Sequence, residues 1–164
     1  GACIASDKKR TICITGEGGL MLNIQELATI SCNKLPIKLF IYNNGGYLTI
    51  KQTQAIGFNG RFLGVNPDSG LTFPNFLKIA EAHGIPSMQV ANHESLSEKV
   101  KHVVNYDGPF ICELMLDHDQ EQIPKVVPRK LPDGRVERTP LEDLYPFLDR
   151  EELLQNMIAE GELK

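Results

Sequence analysis

The sequence predicts an α/β protein with a mostly parallel sheet flanked by helices. Short apolar runs alternate with helix-periodic segments along most of the chain. Glycine, asparagine and proline cluster where those runs end. The first run, Thr11-Ile12-Cys13-Ile14-Thr15, reads as a strand; three others near 37–42, 86–90 and 110–116 bring the parallel set to four. Ahead of them Gly1-Ala2-Cys3-Ile4-Ala5-Ser6 is small and apolar like the end of a buried helix. It lacks an initiator methionine, so an upstream part is expected.

The first full helix is expected over about 20–33, with Leu20, Ile24, Leu27, Ala28 and Ser31 on one face for packing against the sheet. Pro36 ends it before the second strand, and Asn33-Lys34-Leu35 makes the connection. A second helix starts around Tyr47 and fades by Gly57; residues 57–72, with five glycines or prolines at Gly57, Gly60, Gly64, Pro67 and Gly70, form an irregular loop. Phe73-Pro74-Asn75-Phe76 opens a helix that reaches Ala82-His83 and stops at Gly84. Asn92 or Ser95 caps another that runs to about Tyr106. Asp107-Gly108-Pro109 turns into the last strand. Past Leu116 the character changes to a polar arm punctuated by Pro124, Pro128, Pro132 and Pro140, with a turn at Asp133-Gly134. Thr139-Pro140-Leu141-Glu142 has capping-box spacing, and Asp149-Arg150-Glu151-Glu152 resembles a further helix start. The expected division is a binding domain over 1–128 and an arm with a short helix over 129–164.

A chain of 164 residues with 41% hydrophobic content has enough material for a core. Seventeen basic and twenty-one acidic residues leave a net charge of −4, and beyond Lys8-Lys9-Arg10 there is no basic cluster, which argues against a nucleic-acid partner. No apolar stretch approaches the roughly 20 residues that span a bilayer, so no membrane partner is expected. Cys3, Cys13, Cys32 and Cys112 form no C-x-x-C pair and read as reduced thiols of a cytoplasmic protein.

Chemistry concentrates at two turns. Gly16-Glu17-Gly18-Gly19 follows the first strand and leads into a helical pattern, which places backbone N–H groups where phosphate binds well. Asn43-Asn44-Gly45-Gly46-Tyr47 closes the second strand, and two parallel strands joined by a helix bring their C-terminal ends together. Glu17 and Asn44 are therefore expected to meet. The first turn lacks the third glycine of a dinucleotide fingerprint, and no Gly-Lys-Ser/Thr follows it. It carries a carboxylate instead. Mg²⁺ is commonly held by one or two protein oxygens and by substrate phosphates, a recipe that Glu17, Asn44 and a loop carbonyl satisfy. Each turn alone also fits an exposed acid or a plain loop.

Glu17 and Asn44 lie 27 positions apart. With that spacing, Gly16-Glu17-Gly18 through Asn43-Asn44 resembles the thiamine-diphosphate motif, Gly-Asp-Gly ending in Asn-Asn. Asn23-Ile24-Gln25-Glu26-Leu27-Ala28-Thr29 and Leu35-Pro36-Ile37-Lys38 are similar to the cofactor-binding C-terminal domain of acetolactate synthase and related 2-oxo-acid decarboxylases. The resemblance implies a Rossmann-like three-layer fold. It also implies a divalent ion, Mg²⁺, bound by the Glu17 carboxylate, the Asn44 side chain and the Gly46 carbonyl, with thiamine diphosphate contacted by Gly16, Gly18 and Gly19. Tyr47, Leu48, Thr49 and Ile50 would border the thiazolium ring and substrate, while Phe58 to Gly70 and the arm after Asp117 close over them.

The family usually has aspartate in place of Glu17, so the extra methylene requires the metal geometry to adjust or weaken. Ile50 stands where simple pyruvate decarboxylases carry glutamate and acetolactate synthases an aliphatic residue. The implied reaction is decarboxylation of pyruvate or another 2-oxo acid, with transfer of the enamine to a second carbonyl. The alternatives are a non-carboligating decarboxylase and a degenerate, non-catalytic assembly module. The family implies a homodimer or homotetramer whose activating glutamate comes from an N-terminal domain of a partner subunit. No catalytic residue is thus expected in this segment, and alone it should bind cofactor weakly and turn nothing over.

Asp117-His118-Asp119 is not expected to chelate an ion, because neighbours on an extended chain face opposite ways. His83, His93 and His102 read as helix-end or surface residues, and Glu26 as a solvated helix acid or, alternatively, a subunit-interface acid. Gln54 and Arg61 are candidate substrate contacts. Glu113 inside the last strand is compatible with a ligand contact or with an edge or interface salt bridge.

Overall fold

Four parallel strands pair in the order β1-β2-β4-β3: β1 (Thr11–Gly16), β2 (Ile37–Asn43), β3 (Ser87–Val90) and β4 (Phe110–Met115). The computed structural model describes residues 1–157 and divides into two compact units, Gly1–Gln120 and Glu121–Lys164. In the first unit, strand alternation sends β2 side chains to opposite faces of the sheet. Leu39 and Ile41 join Leu20, Leu27, Phe76, Ala80, Ile85 and Ile111 in one core. Phe40 joins Val90, Val103, Phe110 and Cys112 in the other. α2 (Glu17–Met21), α3 (Glu26–Cys32) and α5 (Phe76–Ala82) cover the first face. α6 (Leu96–Asn105) covers the second, through Leu96, Val100, Val103 and Val104 at helical spacing. This is the three-layer α/β arrangement that the sequence predicts.

The helix expected over 20–33 is instead two short helices, α2 and α3, separated by the turn 22–25. Leu22 N–H donates to the Gly19 carbonyl, Asn23 N–H to Leu20 and Glu26 N–H to Asn23, the three-residue spacing of tight turns. Leu20 and Leu27 are buried on the expected side, whereas Ala28 is exposed. α1 (Ala2–Ala5) is helical as expected, but only Cys3 on it is buried. α4 (Leu48–Gly57) follows Tyr47. α5 is capped by the Asn75 side chain, which accepts from Lys78 N–H at 2.9 Å, and ends at Gly84 in the left-handed region. Ser95 occupies the α6 N-cap position without a side-chain bond, while Asn92 accepts from Glu94 N–H.

Lys38 and Cys112 are both buried within the sheet. Lys38 is fully buried on β2, and its Nζ donates to the Tyr106 and Gly108 carbonyls. Burial, with Arg10 nearby, pushes the Lys38 ammonium below its ordinary range. It fastens the turn that enters β4. Burial likewise pushes the Cys112 thiol up to about 11, which keeps it protonated and unreactive at neutral pH. On the second face, Ile12, Ile14 and Tyr42 remain exposed and border an apolar groove of about 960 Å³ with Phe40, Val100 and Leu114.

The second unit contains a short hairpin, β5 (Arg129–Lys130) with β6 (Val136–Glu137), closed by the expected Asp133-Gly134 turn. No helix forms at Thr139-Pro140-Leu141-Glu142, despite its capping-box spacing. The Thr139 hydroxyl donates to the Val127 carbonyl instead, and Leu141 is exposed, so no apolar face supports a helix there. α7 (Arg150–Asn156) starts as expected, with the Asp149 carboxylate accepting from Glu151 and Glu152 N–H. Arg150 grips the buried Asp143 carboxylate with both terminal nitrogens, at 2.7 and 2.9 Å. That bidentate pair holds the Asp143 carboxyl below the usual range. A depressed folded-state value contributes stability that is complete above the unfolded value and lost as pH falls through the folded one. NMR contacts of α7 should therefore persist at about pH 5 and disappear on further acidification, whereas Arg150→Met should lack that acid transition.

Candidate functional site

Both motif turns sit at the carboxyl ends of neighbouring strands, where α/β sheets place ligands. Gly16 ends β1 in register with Tyr42, and Asn43 ends β2 in register with Met115 of β4. Glu17 is therefore the first residue of α2, not an exposed turn acid, and only 3% of it is accessible. Its Oε1 accepts from Asn44 N–H at 3.2 Å and from Gly46 N–H at 2.9 Å. The Asn44 Oδ1 accepts from the same Gly46 N–H at 3.1 Å. The acidic and amide oxygens thus converge on one donor, and the two turns meet as expected of the ends of neighbouring parallel strands. Among the described residues no lysine, arginine or histidine forms an ion pair with Glu17.

Close approach explains the glycines. A Cβ on Gly46 would lie 2.4 Å from the Val65 carbonyl oxygen, which also accepts from Tyr47 N–H at 2.8 Å. One on Gly18 would lie 2.2 Å from the Tyr47 ring, and one on Gly19 2.7 Å from the Thr15 hydroxyl. Gly45 has φ of +75° and would meet the His118 ring. The structure thus brings Gly16, Glu17, Gly18, Asn44, Gly46 and Tyr47 into one constellation. Tyr47 packs edge-on against Phe73, with ring centroids 5.6 Å apart. Leu48 lines a cavity of about 290 Å³ with Asn44, Gly46, Val65, Asp68 and His118. Thr49 and Ile50 are exposed on the first turns of α4.

The irregular loop 57–72 returns to this site through Val65, which is 1% exposed. Gln54, a candidate substrate contact, holds that loop: its side chain donates to the Leu63 carbonyl and accepts from Leu63 N–H. Arg61 is exposed. Among the described residues no group of three acidic, histidine or cysteine side chains is arranged to chelate an ion. His118 is nonetheless beside the site, its Nδ1 against the Asn44 carbonyl, and Asp119 pairs with Lys51. The sequence does not single out His118 as a neighbour of Asn44, because nothing in its surroundings marks a residue three beyond the end of β4 as returning to another strand's loop. Glu113, compatible in sequence with a ligand contact or with an edge or interface salt bridge, is 5% exposed on β4 between two other strands. It accepts from Asn43 and Gln89 side chains at 2.7 and 2.8 Å.

Hard oxygens, glycine cradles and a buried acid without a basic partner suit a cation-bridged diphosphate. The family described as thiamine pyrophosphate enzyme, C-terminal TPP binding domain, matches residues 1–114. The acetolactate synthase large subunit of Porphyra purpurea is 33% identical over 130 residues, which cover 79% of this chain and 22% of that protein. Acetolactate synthase 2, chloroplastic, of Nicotiana tabacum is 28% identical, covering 77% and 20%. Among solved structures, the thiamine diphosphate-dependent 4-hydroxybenzoylformate decarboxylase of Rhodococcus jostii RHA1 superposes with a TM-score of 0.65 at 25% identity, over 73% of this chain and 22% of that one. The chain spans about a fifth of the length of the curated relatives it matches.

Proposed function

Since the chain belongs to the family of C-terminal TPP-binding domains of thiamine pyrophosphate enzymes, we propose that it is the cofactor domain of an acetolactate synthase-like enzyme that decarboxylates pyruvate or another 2-oxo acid. The observation that carries this reading is the buried, unpaired Glu17 carboxylate sharing a donor with Asn44. In it, Glu17, the Asn44 side-chain oxygen and the Gly46 carbonyl hold Mg²⁺, and Gly16, Gly18 and Gly19 present the start of α2 to diphosphate. Bound thiamine diphosphate supplies the electron sink for loss of CO₂. The chain's own residues position that group. Tyr47 and Leu48 wall the site, and Thr49 and Ile50 stand at its exposed margin; aliphatic Ile50 offers no carboxyl proton there, which favours carboligation over simple protonation.

Residues 1–128 form the binding domain in this reading and 129–164 its arm, within a cytoplasmic homodimer or homotetramer. Four free cysteines are consistent with that compartment. No described helix is long and apolar enough to cross a membrane. The test is the full-length gene product with pyruvate, thiamine diphosphate and Mg²⁺. Acetolactate should form in excess over acetaldehyde. Acetaldehyde alone would favour the decarboxylase alternative, and absence of both product and calorimetric cofactor binding would favour the assembly module.

A further inference from the structure

We propose that Glu113 is a positioning residue for the cation-binding loop, acting through the Asn43 side chain; the assignment rests on the cofactor reading above. Glu113 lies on β4 in register with Ile41 of β2 and Gln89 of β3, and it is 5% exposed. Among the described residues no basic side chain pairs with it. A buried carboxylate in such a place must be satisfied by neutral donors, and two amides provide them. Gln89 Nε2 donates to one oxygen at 2.8 Å and Asn43 Nδ2 to the other at 2.7 Å. The link therefore runs across three adjacent strands.

Its consequence lies in the orientation of an amide. A carboxylate only accepts, so it fixes the Asn43 NH₂ toward β4 and the Asn43 oxygen toward the loop. That oxygen accepts from Gly45 N–H at 2.9 Å. Gly45, at φ +75°, stands between Asn44 and Gly46, the residues whose oxygens are assigned to the cation. The rigid centre of the sheet thereby sets the course of a loop that no strand pairing reaches. Without an acceptor at 113 the Asn43 amide is free to turn, and Gly45 loses its partner.

Calorimetric titration of the full-length gene product with thiamine diphosphate and Mg²⁺, paired with thermal melting, tests this. Glu113→Ala should weaken cofactor binding about tenfold, and Glu113→Gln should restore it to within about threefold, since a glutamine oxygen can still accept from Asn43 while Gln89 turns over. Gln89→Leu serves as the control. It should lower the melting temperature while leaving cofactor affinity unchanged, because the Asn43 arm stays intact. Asn43→Ala should match Glu113→Ala in affinity, and the double variant should be no worse than either alone. Full affinity in Glu113→Ala, or equal affinity losses in Gln89→Leu and Glu113→Ala, would overturn the assignment. If Glu113→Ala does not fold, additive losses in Glu113→Gln and Asn43→Ala would overturn it equally. Failure of the wild type to bind would instead remove the cofactor reading, and this assignment with it.

Discussion

Gly46→Ala is expected to unseat the loop and abolish cofactor binding at concentrations that saturate the wild type. The added Cβ would stand 2.4 Å from a backbone oxygen, that of Val65. A side chain can rotate away from such an intrusion, but Val65 is buried and its carbonyl is held by Tyr47 N–H. Either the segment 63–66 or the segment 44–47 must move by several tenths of an ångström. Overpacking combined with a lost hydrogen bond gives a destabilisation of about 3 kcal/mol. The same movement pulls Gly46 N–H from Glu17 and Asn44, so affinity for Mg²⁺ and thiamine diphosphate should fall about 100-fold or more. Gly18→Ala should be milder although its clash is closer, because the obstacle is the edge of the Tyr47 ring. Gly57→Ala is the negative control: it ends α4 with open space around its Cα, and alanine there should be neutral or slightly stabilising. Urea denaturation and calorimetry on the three variants check the order. Wild-type affinity in Gly46→Ala would show that the Val65 contact yields without cost.

The positions that meet in this site were legible where they sit at strand ends. A parallel pair joined by a crossover must bring its C-terminal turns together, so Glu17 and Asn44 could be placed from their order alone. The gap at 22–25 was invisible for a related reason. Leu20 and Leu27 keep the same phase whether the chain between them is helical or tightly turned, and periodicity reports phase rather than hydrogen bonding. Thr139 shows the converse failure, a capping signature with no buried apolar face behind it; its hydroxyl found the Val127 carbonyl instead. The hairpin strands Arg129–Lys130 and Val136–Glu137 are too short to display alternation, although the glycine of their turn was apparent. Glu113 offered a signal, an acid within the apolar run Phe110–Met115. Its two partners came from other strands, a fact of register that local pattern does not contain.

In the proposed reading Glu17 serves the fold and the site through different properties, and two substitutions should separate them. Glu17→Ala removes an acceptor shared by two N–H groups: Asn44 N–H loses its acceptor, while Gly46 N–H keeps the Asn44 Oδ1. One orphaned buried donor costs roughly 1–3 kcal/mol, so a loss of about 2 kcal/mol is expected even before any ion is considered. Glu17→Gln retains a carbonyl oxygen of the same reach and should recover most of that stability. It cannot recover the charge. A neutral amide facing Mg²⁺ gives up the carboxylate's attraction, so binding of Mg²⁺ and thiamine diphosphate should weaken about 100-fold in Glu17→Gln while its denaturation midpoint stays near wild type. Glu17→Asp draws the carboxylate back by one methylene, which lengthens its bonds to the loop N–H groups but keeps the charge. Its stability should fall while metal binding persists, the opposite pattern to glutamine. Calorimetry against Mg²⁺ with cofactor present, beside urea denaturation of the same proteins, reads both axes. Equal affinity in wild type and Glu17→Gln would mean that the carboxylate is a structural acceptor for the loop and that the cation, if bound, is held elsewhere.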